Sequence, residues 1–241
     1  MCIRDSNRHH SHPNIVDRDP SVAQGVFSFT EEDAALTQGA RAWYTRRQGY
    51  FFFPILLAAG LNLYVQGFRT VFGAAKLDQR WAEIGMLLAR NVAFLVALFA
   101  LLPAGKALAF LAVQLAVFGI ATASSFVPNH VGMPILPRDA RVDFLRRQVL
   151  TSRNITGGWV KTAWMGGLNY QIEHHLFPSM ARPHLRRAHL LAMQFCAERD
   201  IHYTETRLTD AYRAIVRYMN EVGVAAVRDP YRCPVASSLG R

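Results

Sequence analysis

Apolar residues gather into three long stretches along the chain: residues 50–68 (YFFFPILLAAGLNLYVQGF), 84–102 (IGMLLARNVAFLVALFALL) and 105–124 (GKALAFLAVQLAVFGIATAS). Each approaches the ~20 residues that an α-helix needs to cross a bilayer. Only Pro103, Ala104 and Gly105 mark the break between the second and third, which predicts a tight membrane hairpin over 84–124. The closed end of that hairpin carries Lys106 alone. Its open end is basic, with Lys76 and Arg80 before it and Arg138, Arg141, Arg146 and Arg147 after it. Positive charge marks the cytoplasmic side of membrane helices, so the open end is expected to face the cytoplasm. The first stretch has cations on both sides (Arg46 and Arg47, then Arg69 and Lys76) and is interrupted by Pro54, Gly60, Asn62 and Gln66. It reads as a re-entrant or interfacial segment rather than a crossing.

The remaining chain is more polar. Residues 7–24 read as a loop following a histidine-bearing helix end. A surface helix is expected over 30–48, with Glu31, Glu32 and Asp33 at its start and Arg46 and Arg47 at its end, the charge order that suits a helix dipole. Residues 125–228 predict a cytoplasmic helical region. Within it lie an amphipathic helix from Pro183 to Arg199, built on Leu185, Leu190, Leu191 and Phe195, and a further helix over 205–222. The tail, 229–241, carries Pro230, Pro234 and Gly240 and reads as loose. These elements make the fold class an all-α integral membrane protein, a transmembrane hairpin joined to a cytoplasmic helical domain.

Composition narrows the possible partners. The chain has 241 residues, 51% hydrophobic, and a formal charge of +10. Its cations flank apolar runs, which argues for a lipid bilayer and against nucleic acid. Cys2, Cys196 and Cys233 are far apart and form no CxxC, so a disulfide framework is not expected. No signal peptide pattern is present. The first six residues, MCIRDS, share no pattern with the rest of the chain and read as a cloning or assembly scar, with native sequence from Asn7 onward.

Candidate chemistry concentrates in histidines. In NYQIEHHLFP (169–178), Gln171, His174 and His175 stand at i, i+3 and i+4, one face of a helix. Two imidazoles and an amide can then share one space, and neutral imidazole is a common ligand for iron, copper and zinc. In NRHHSHPN, His9 and His10 are again adjacent. The residue three before His9 is Ser6; a histidine there would complete the same i, i+3, i+4 pattern. His12, before Pro13, suits a supporting or loop role. His130 follows the third apolar stretch beside Asn129, in a segment broken by Gly132 and Pro134. If the clusters at 9–10 and 174–175 share a site, the chain between them crosses the membrane an even number of times. His184, His189 and His202 read as ordinary surface or core histidines. Arg182, Arg186 and Arg187 could hold phosphates or anionic headgroups, or form a solvated basic face.

Together NRHHSHPN, NHVGMP and NYQIEHHLFP resemble the second histidine box, the accessory histidine and the third histidine box of the membrane fatty acid desaturases, over residues 7 to about 200. The glutamine heading the third box is similar to the acyl-CoA or acyl-lipid branch that includes linoleoyl-CoA (Δ6-type) enzymes. The resemblance implies two iron ions held by His9, His10, His130, His174 and His175, with Gln171 acting through a water and Asn129 and Glu173 supporting the ligands. It implies O2 and two electrons from a separate donor of ferredoxin or cytochrome b5 type. The substrate would be a fatty acyl-CoA or acyl-lipid, its headgroup near Arg182, Arg186 and Arg187. The setting would be the inner membrane, with the active site facing the cytoplasm.

The chain departs from the family pattern in lacking an HxxxH-type first box, a histidine at Ser6 and two preceding membrane helices. The native gene is therefore expected to continue upstream, and this chain by itself to be inactive. An acyl-chain hydroxylase fits the same boxes, since it begins with the same hydrogen abstraction. A zinc-dependent membrane hydrolase would also favour histidines, but it calls for carboxylate ligands where only Glu173 qualifies. An inactive membrane remnant is the remaining class.

Overall fold

Helices make up nearly every element of the chain in the computed structural model, which describes residues 3–23, 25–73 and 77–228. The side chains of residues 1–6 and 226–228, Lys76 and the whole tail from 229 lie outside the described residues, and with them the expected scar, Ser6, Cys2 and Cys233. In chain order the elements are α1 (Ile3–Ser11), α2 (Glu31–Ala35), α3 (Gly39–Thr45), α4 (Gln48–Phe72), α5 (Arg80–Leu101), α6 (Ala104–His130), α7 (Phe144–Leu150), β1 (Asn154–Thr156), α8 (Trp159–Trp164), α9 (Gln171–Leu176), α10 (Arg182–Glu198), β2 (Glu205–Arg207) and α11 (Leu208–Arg228). Among the described residues strand structure is confined to β1 and β2, which pair in parallel with Ile155 opposite Thr206.

The helix expected over 30–48 is instead two helices. Thr30 caps the first, its Oγ1 accepting from the Asp33 amide at 3.1 Å. The chain then turns, and α3 begins at Gly39, whose φ of 56° lies in the left-handed region.

Three helices, α4, α5 and α6, are long and apolar enough to cross a membrane. The first runs without a break through Pro54, across the stretch where a re-entrant or interfacial segment is expected. Only Leu102 and Pro103 separate α5 from α6. Large apolar side chains on these helices are exposed, among them Val92, Val96, Leu101, Val113 and Val117. Lipid is the solvent such a surface requires.

The described chain divides into two compact units, one holding 53–124 and the other 7–52 with 125–228. Inside the first, α4 and α6 meet backbone to backbone. A Cβ at Gly60 would lie 2.3 Å from the Leu115 carbonyl oxygen, and one at Gly119 would lie 2.5 Å from that of Leu56 and 2.7 Å from the Gly60 nitrogen. Small residues permit this approach between membrane helices. Gly119→Val is expected to force the pair apart and cost roughly 1–3 kcal/mol, read as a lower melting temperature in detergent. Gly67→Ala, with nothing within 4 Å of its added Cβ, is expected to leave it unchanged or raised.

The second unit packs around its helical interior. Val149 of α7, Ile172 of α9, Cys196 of α10 and Ile201 form one buried cluster; Ile155 of β1, Met165 and Ala211 of α11 form another. The α11 helix lies against α2 and α3 and holds the start of α4 through Gln48, whose Nε2 donates to the Met219 carbonyl at 2.9 Å. The short α9 is thus gripped by α7, α10 and β1.

Candidate metal centre

Three separate segments of the second unit deliver histidines to one place. His9 and His10 come from the end of α1, His130 is the last residue of α6, and His174 and His175 lie on α9. Helical order continues through Pro128 to His130, past the apolar stretch. Ring centroids of His9 stand 4.6 Å from His130 and 4.9 Å from His175, and His130 is 4.8 Å from His175. Beside this trio, His10 lies 4.7 Å from His174 and 5.0 Å from His175. All five candidate ligand histidines therefore converge, in two overlapping groups.

The polar atoms around them divide the nitrogens by role. His9 Nδ1 lies 2.8 Å from Asp19 Oδ2, which turns its Nε2 inward, 3.4 Å from His130 Nε2. The Gln148 Oε1 lies 3.0 Å from His175 Nδ1, and its Nε2 donates to the His10 carbonyl at 3.0 Å, so one amide ties the two histidine pairs together. A carboxylate or amide on the outer nitrogen of a metal-bound imidazole sets its tautomer and orientation. The Gln171 amide nitrogen lies 2.9 Å from His130 Nε2, while its Oε1 accepts from Asn129 Nδ2 at 3.1 Å.

The trio fits a metal ion. Ligand atoms of His9, His130 and His175 all lie within 4.8 Å of one another, and all three residues are buried. Imidazole–metal bonds of about 2.1 Å hold neighbouring ligands roughly 3.4 Å apart in a tetrahedron. Among the clustered rings, His175 Nε2 and His174 Nδ1 are buried and without a hydrogen-bond partner. Orphaned polar atoms of this kind are costly, and two on neighbouring rings of the cluster fit a site completed by something other than protein.

Burial, then the charge of His10, holds the His174 imidazole down to about 4. Burial likewise pushes His175 well below the ordinary histidine value, and His10 is lowered by burial and then by His9. Burial acts to raise Asp19, but the hydrogen bond and charge of His9 and the amides of Ser21 and Asn14 outweigh it, so the carboxyl is lowered overall. The rings of His10, His174 and His175 are thus neutral at pH 7, the form that binds metal. Folded values below the unfolded value of about 6.5 mean that these histidines' contribution to stability is present above that pH and lost as pH falls. The metal-free chain is expected to show a falling melting temperature from pH 6.5 to 4, followed by circular dichroism.

Other residues singled out in the sequence lie elsewhere. Glu173 is fully buried, but its carboxylate accepts from Tyr203 Oη at 2.5 Å and Asn154 Nδ2 at 2.8 Å rather than meeting a clustered ring. His189 belongs to this second polar knot, its Nδ1 2.9 Å from Tyr203 Oη, and the hydrogen bond with Glu173 raises its pKa. Arg182 and Arg186 line a cavity of about 510 Å³ with Gly157, Trp159, Gly166 and Tyr170, and Arg182 donates to the Gly166 carbonyl at 2.9 Å. Arg187 and His184 border a different, apolar cavity of about 460 Å³. The three arginines therefore do not share one pocket. His12 is half-buried and His202 exposed. Sequence reasoning missed Asp19, Gln148 and Asn154; Asp19 stands before Pro20 in what reads as an ordinary turn.

Comparison with known proteins identifies the family. The family model described as fatty acid desaturase matches residues 3–207. An acyl-lipid (9-3)-desaturase of Physcomitrium patens is 32% identical over 126 residues, 52% of this chain and 24% of that protein. A Delta(6)-fatty-acid desaturase of Caenorhabditis elegans is 38% identical over 87 residues, 35% of this chain and 19% of that protein. Fatty acid desaturase 3 of Bos taurus is 27% identical over 225 residues, 90% of this chain and 48% of that protein. The chain spans less than half the length of these curated relatives. No solved structure matches. With a family model that covers most of its length, the chain belongs to the fatty acid desaturase family.

Proposed function

We propose that this chain carries the iron-binding part of a membrane enzyme that introduces a double bond into a fatty acyl chain. The observation that carries the reading is the convergence of His9, His10, His130, His174 and His175 in a buried cluster. His9, His130 and His175 would hold one iron ion, and His10 and His174 would contribute to a second. The bound iron pair, given O2 and two electrons, supplies the oxidant that removes two hydrogens from the acyl chain, with two protons consumed and two waters formed.

The residues themselves do the remaining work. Asp19 and Gln148 hold the outer nitrogens of His9 and His175 and direct their inner ones. Neutral imidazoles resist oxidation and keep positions open for O2. Gln171, beside His130 and Asn129, stands where a water between amide and metal would be held. Its place at the head of the third box supports the acyl-CoA or acyl-lipid branch with Δ6-type members. Arg182 and Arg186, on their shared cavity, suit the anionic headgroup. Arg187 lies outside that cavity and has the weaker case. Electrons would come from a separate ferredoxin or cytochrome b5.

His9 and His130 share one site, so the chain between them crosses the membrane an even number of times. Among the described residues three helices qualify by length and composition, and an even number of crossings would leave one of them outside the count. Cations on both sides of 50–68 select α4 as the interfacial one, leaving 84–124 as the hairpin. The basic open end supports a site on the cytoplasmic face of the inner membrane. Expressed from its whole gene, the protein is expected to create a new unsaturated species in the host's fatty-acid profile. An unchanged profile from iron-loaded, membrane-inserted protein supplied with electrons would contradict this function.

A further inference from the structure

Four consecutive polar residues, Thr151 to Asn154, are buried at 5% exposure or less between the helices that carry the histidines. A run of this kind costs free energy unless every polar group has a partner. The partners of its last two residues are specific. Arg153 makes no ion pair among the described residues. Its Nε donates to the Pro128 carbonyl at 2.7 Å, its Nη2 to the Val131 carbonyl, and its backbone amide to the Asn129 carbonyl at 2.9 Å. The His130 carbonyl between them accepts from Asn14 Nδ2 at 3.1 Å. The carbonyls that helix α6 leaves unpaired at its end are therefore occupied, and a cation sits at the negative end of its dipole.

Asn154 does the corresponding work at α9. That helix begins at Gln171 with no side-chain cap from its own N-cap residue, Tyr170. Instead Asn154 Oδ1 accepts from the Ile172 amide at 3.0 Å, and its Nδ2 donates to Glu173 Oε2 at 2.8 Å. Tyr203 fastens the other oxygen of Glu173. One residue thus caps the helix and clamps the side chain that precedes His174 and His175. Its neighbour in sequence grips the helix end that carries His130, and adjacent Cα atoms are held about 3.8 Å apart.

We propose that Arg153 and Asn154 are positioning residues, a two-residue bracket that fixes the separation between His130 and the His174–His175 pair. The inference rests on the metal-binding function proposed for the histidine cluster. It also gives Glu173 a different task from supporting a ligand ring: Glu173 is the handle by which α9 is held.

The test is a reciprocal exchange. Asn154→Asp keeps the oxygen that caps Ile172 but sets a carboxylate against Glu173, with no amide hydrogen between them. Glu173→Gln in the same chain supplies that hydrogen from the other side. Full-length chains in detergent would be titrated anaerobically with Fe2+, and amide hydrogen exchange followed at Ile172. Asn154→Asp is expected to weaken Fe2+ binding by about 10–100-fold, the usual effect of a lost outer contact, and to speed exchange at Ile172. The double variant is expected to bind at least about tenfold more tightly than Asn154→Asp alone and to recover the slow exchange. Arg153→Met, tested separately, is expected to weaken binding without changing the helical content. Unchanged affinity in both Asn154→Asp and Arg153→Met, or a double variant no better than the single, would overturn the bracket. Failure of the unaltered chain to bind Fe2+ would instead refute the metal reading. The exchange of Ile172 then still decides the bracket, because protection unaffected by Asn154→Asp overturns it and protection lost there and regained in the double variant sustains it.

Discussion

Replacing His175 with alanine is expected to abolish high-affinity iron binding while the helices stay in place. His175 is the one ring shared by both groups of histidines, 4.8 Å from His130, 4.9 Å from His9 and 5.0 Å from His10 by centroid. Its Nε2 is buried with no hydrogen-bond partner, so it is free to act as a ligand atom. Removing a direct ligand should exceed the 10–100-fold cost of an outer contact, giving a loss of more than about 100-fold in Fe2+ affinity. The effect on stability should be smaller. Truncation leaves a cavity and frees the Gln148 oxygen, but it also removes an unsatisfied buried nitrogen, and these effects oppose each other. Fe2+ titration with a parallel circular dichroism melt separates the two. Unaltered affinity would remove His175 from the site; a collapsed melt would mean that the ring is chiefly structural. In protein expressed from the whole gene, the same substitution is expected to remove the unsaturated product.

The second large effect is expected at Asp19, a residue with no metal-facing atom. Its Oδ2 lies 2.8 Å from His9 Nδ1 and accepts from the Asn14 amide at 2.8 Å, while its Oδ1 accepts from the Ser21 amide at 2.8 Å. All three neighbours present donors, so the position requires a group that only accepts. Asp19→Asn places an NH2 against one of them in either orientation of the amide. If it faces Ser21, the backbone there loses its partner; if it faces His9, the ring is driven toward the wrong tautomer. Either way Fe2+ affinity is expected to fall about 10–100-fold, with roughly 1–3 kcal/mol of stability lost to the unsatisfied donor. Asp139→Asn, at an exposed position, serves as the control and should change neither. Full affinity in Asp19→Asn would show that the carboxylate does not orient His9.

Legibility in the sequence tracks the physical range of each interaction. Long apolar stretches announce membrane helices because every residue in them contributes to one signal, and α5 and α6 start and end within a few residues of the expected bounds, save that α6 continues to His130. The i, i+3, i+4 spacing of Gln171, His174 and His175 is legible because one helical turn determines it. The break in the helix expected over 30–48 is harder to see, since it depends on a left-handed Gly39 rather than on charge order. Contacts between distant segments leave no local trace. Asp19 reaches His9 across 10 positions and Gln148 reaches His175 across 27, and no periodicity encodes either pairing. Glu173 misleads for the same reason: proximity in sequence to two ligands suggests a role on their rings, whereas its side chain leaves the opposite way, to Asn154 and Tyr203.

Iron K-edge X-ray absorption on the purified, Fe2+-loaded chain addresses the central claim most directly, that the buried histidines are the metal site. The expected spectrum has a first shell of nitrogen and oxygen at about 2.1 Å, with the multiple scattering of several imidazoles in the outer shells, and a signal that loses imidazole character in His9→Ala and His175→Ala. Iron bound without imidazole scattering, or a spectrum indifferent to both substitutions, would contradict it.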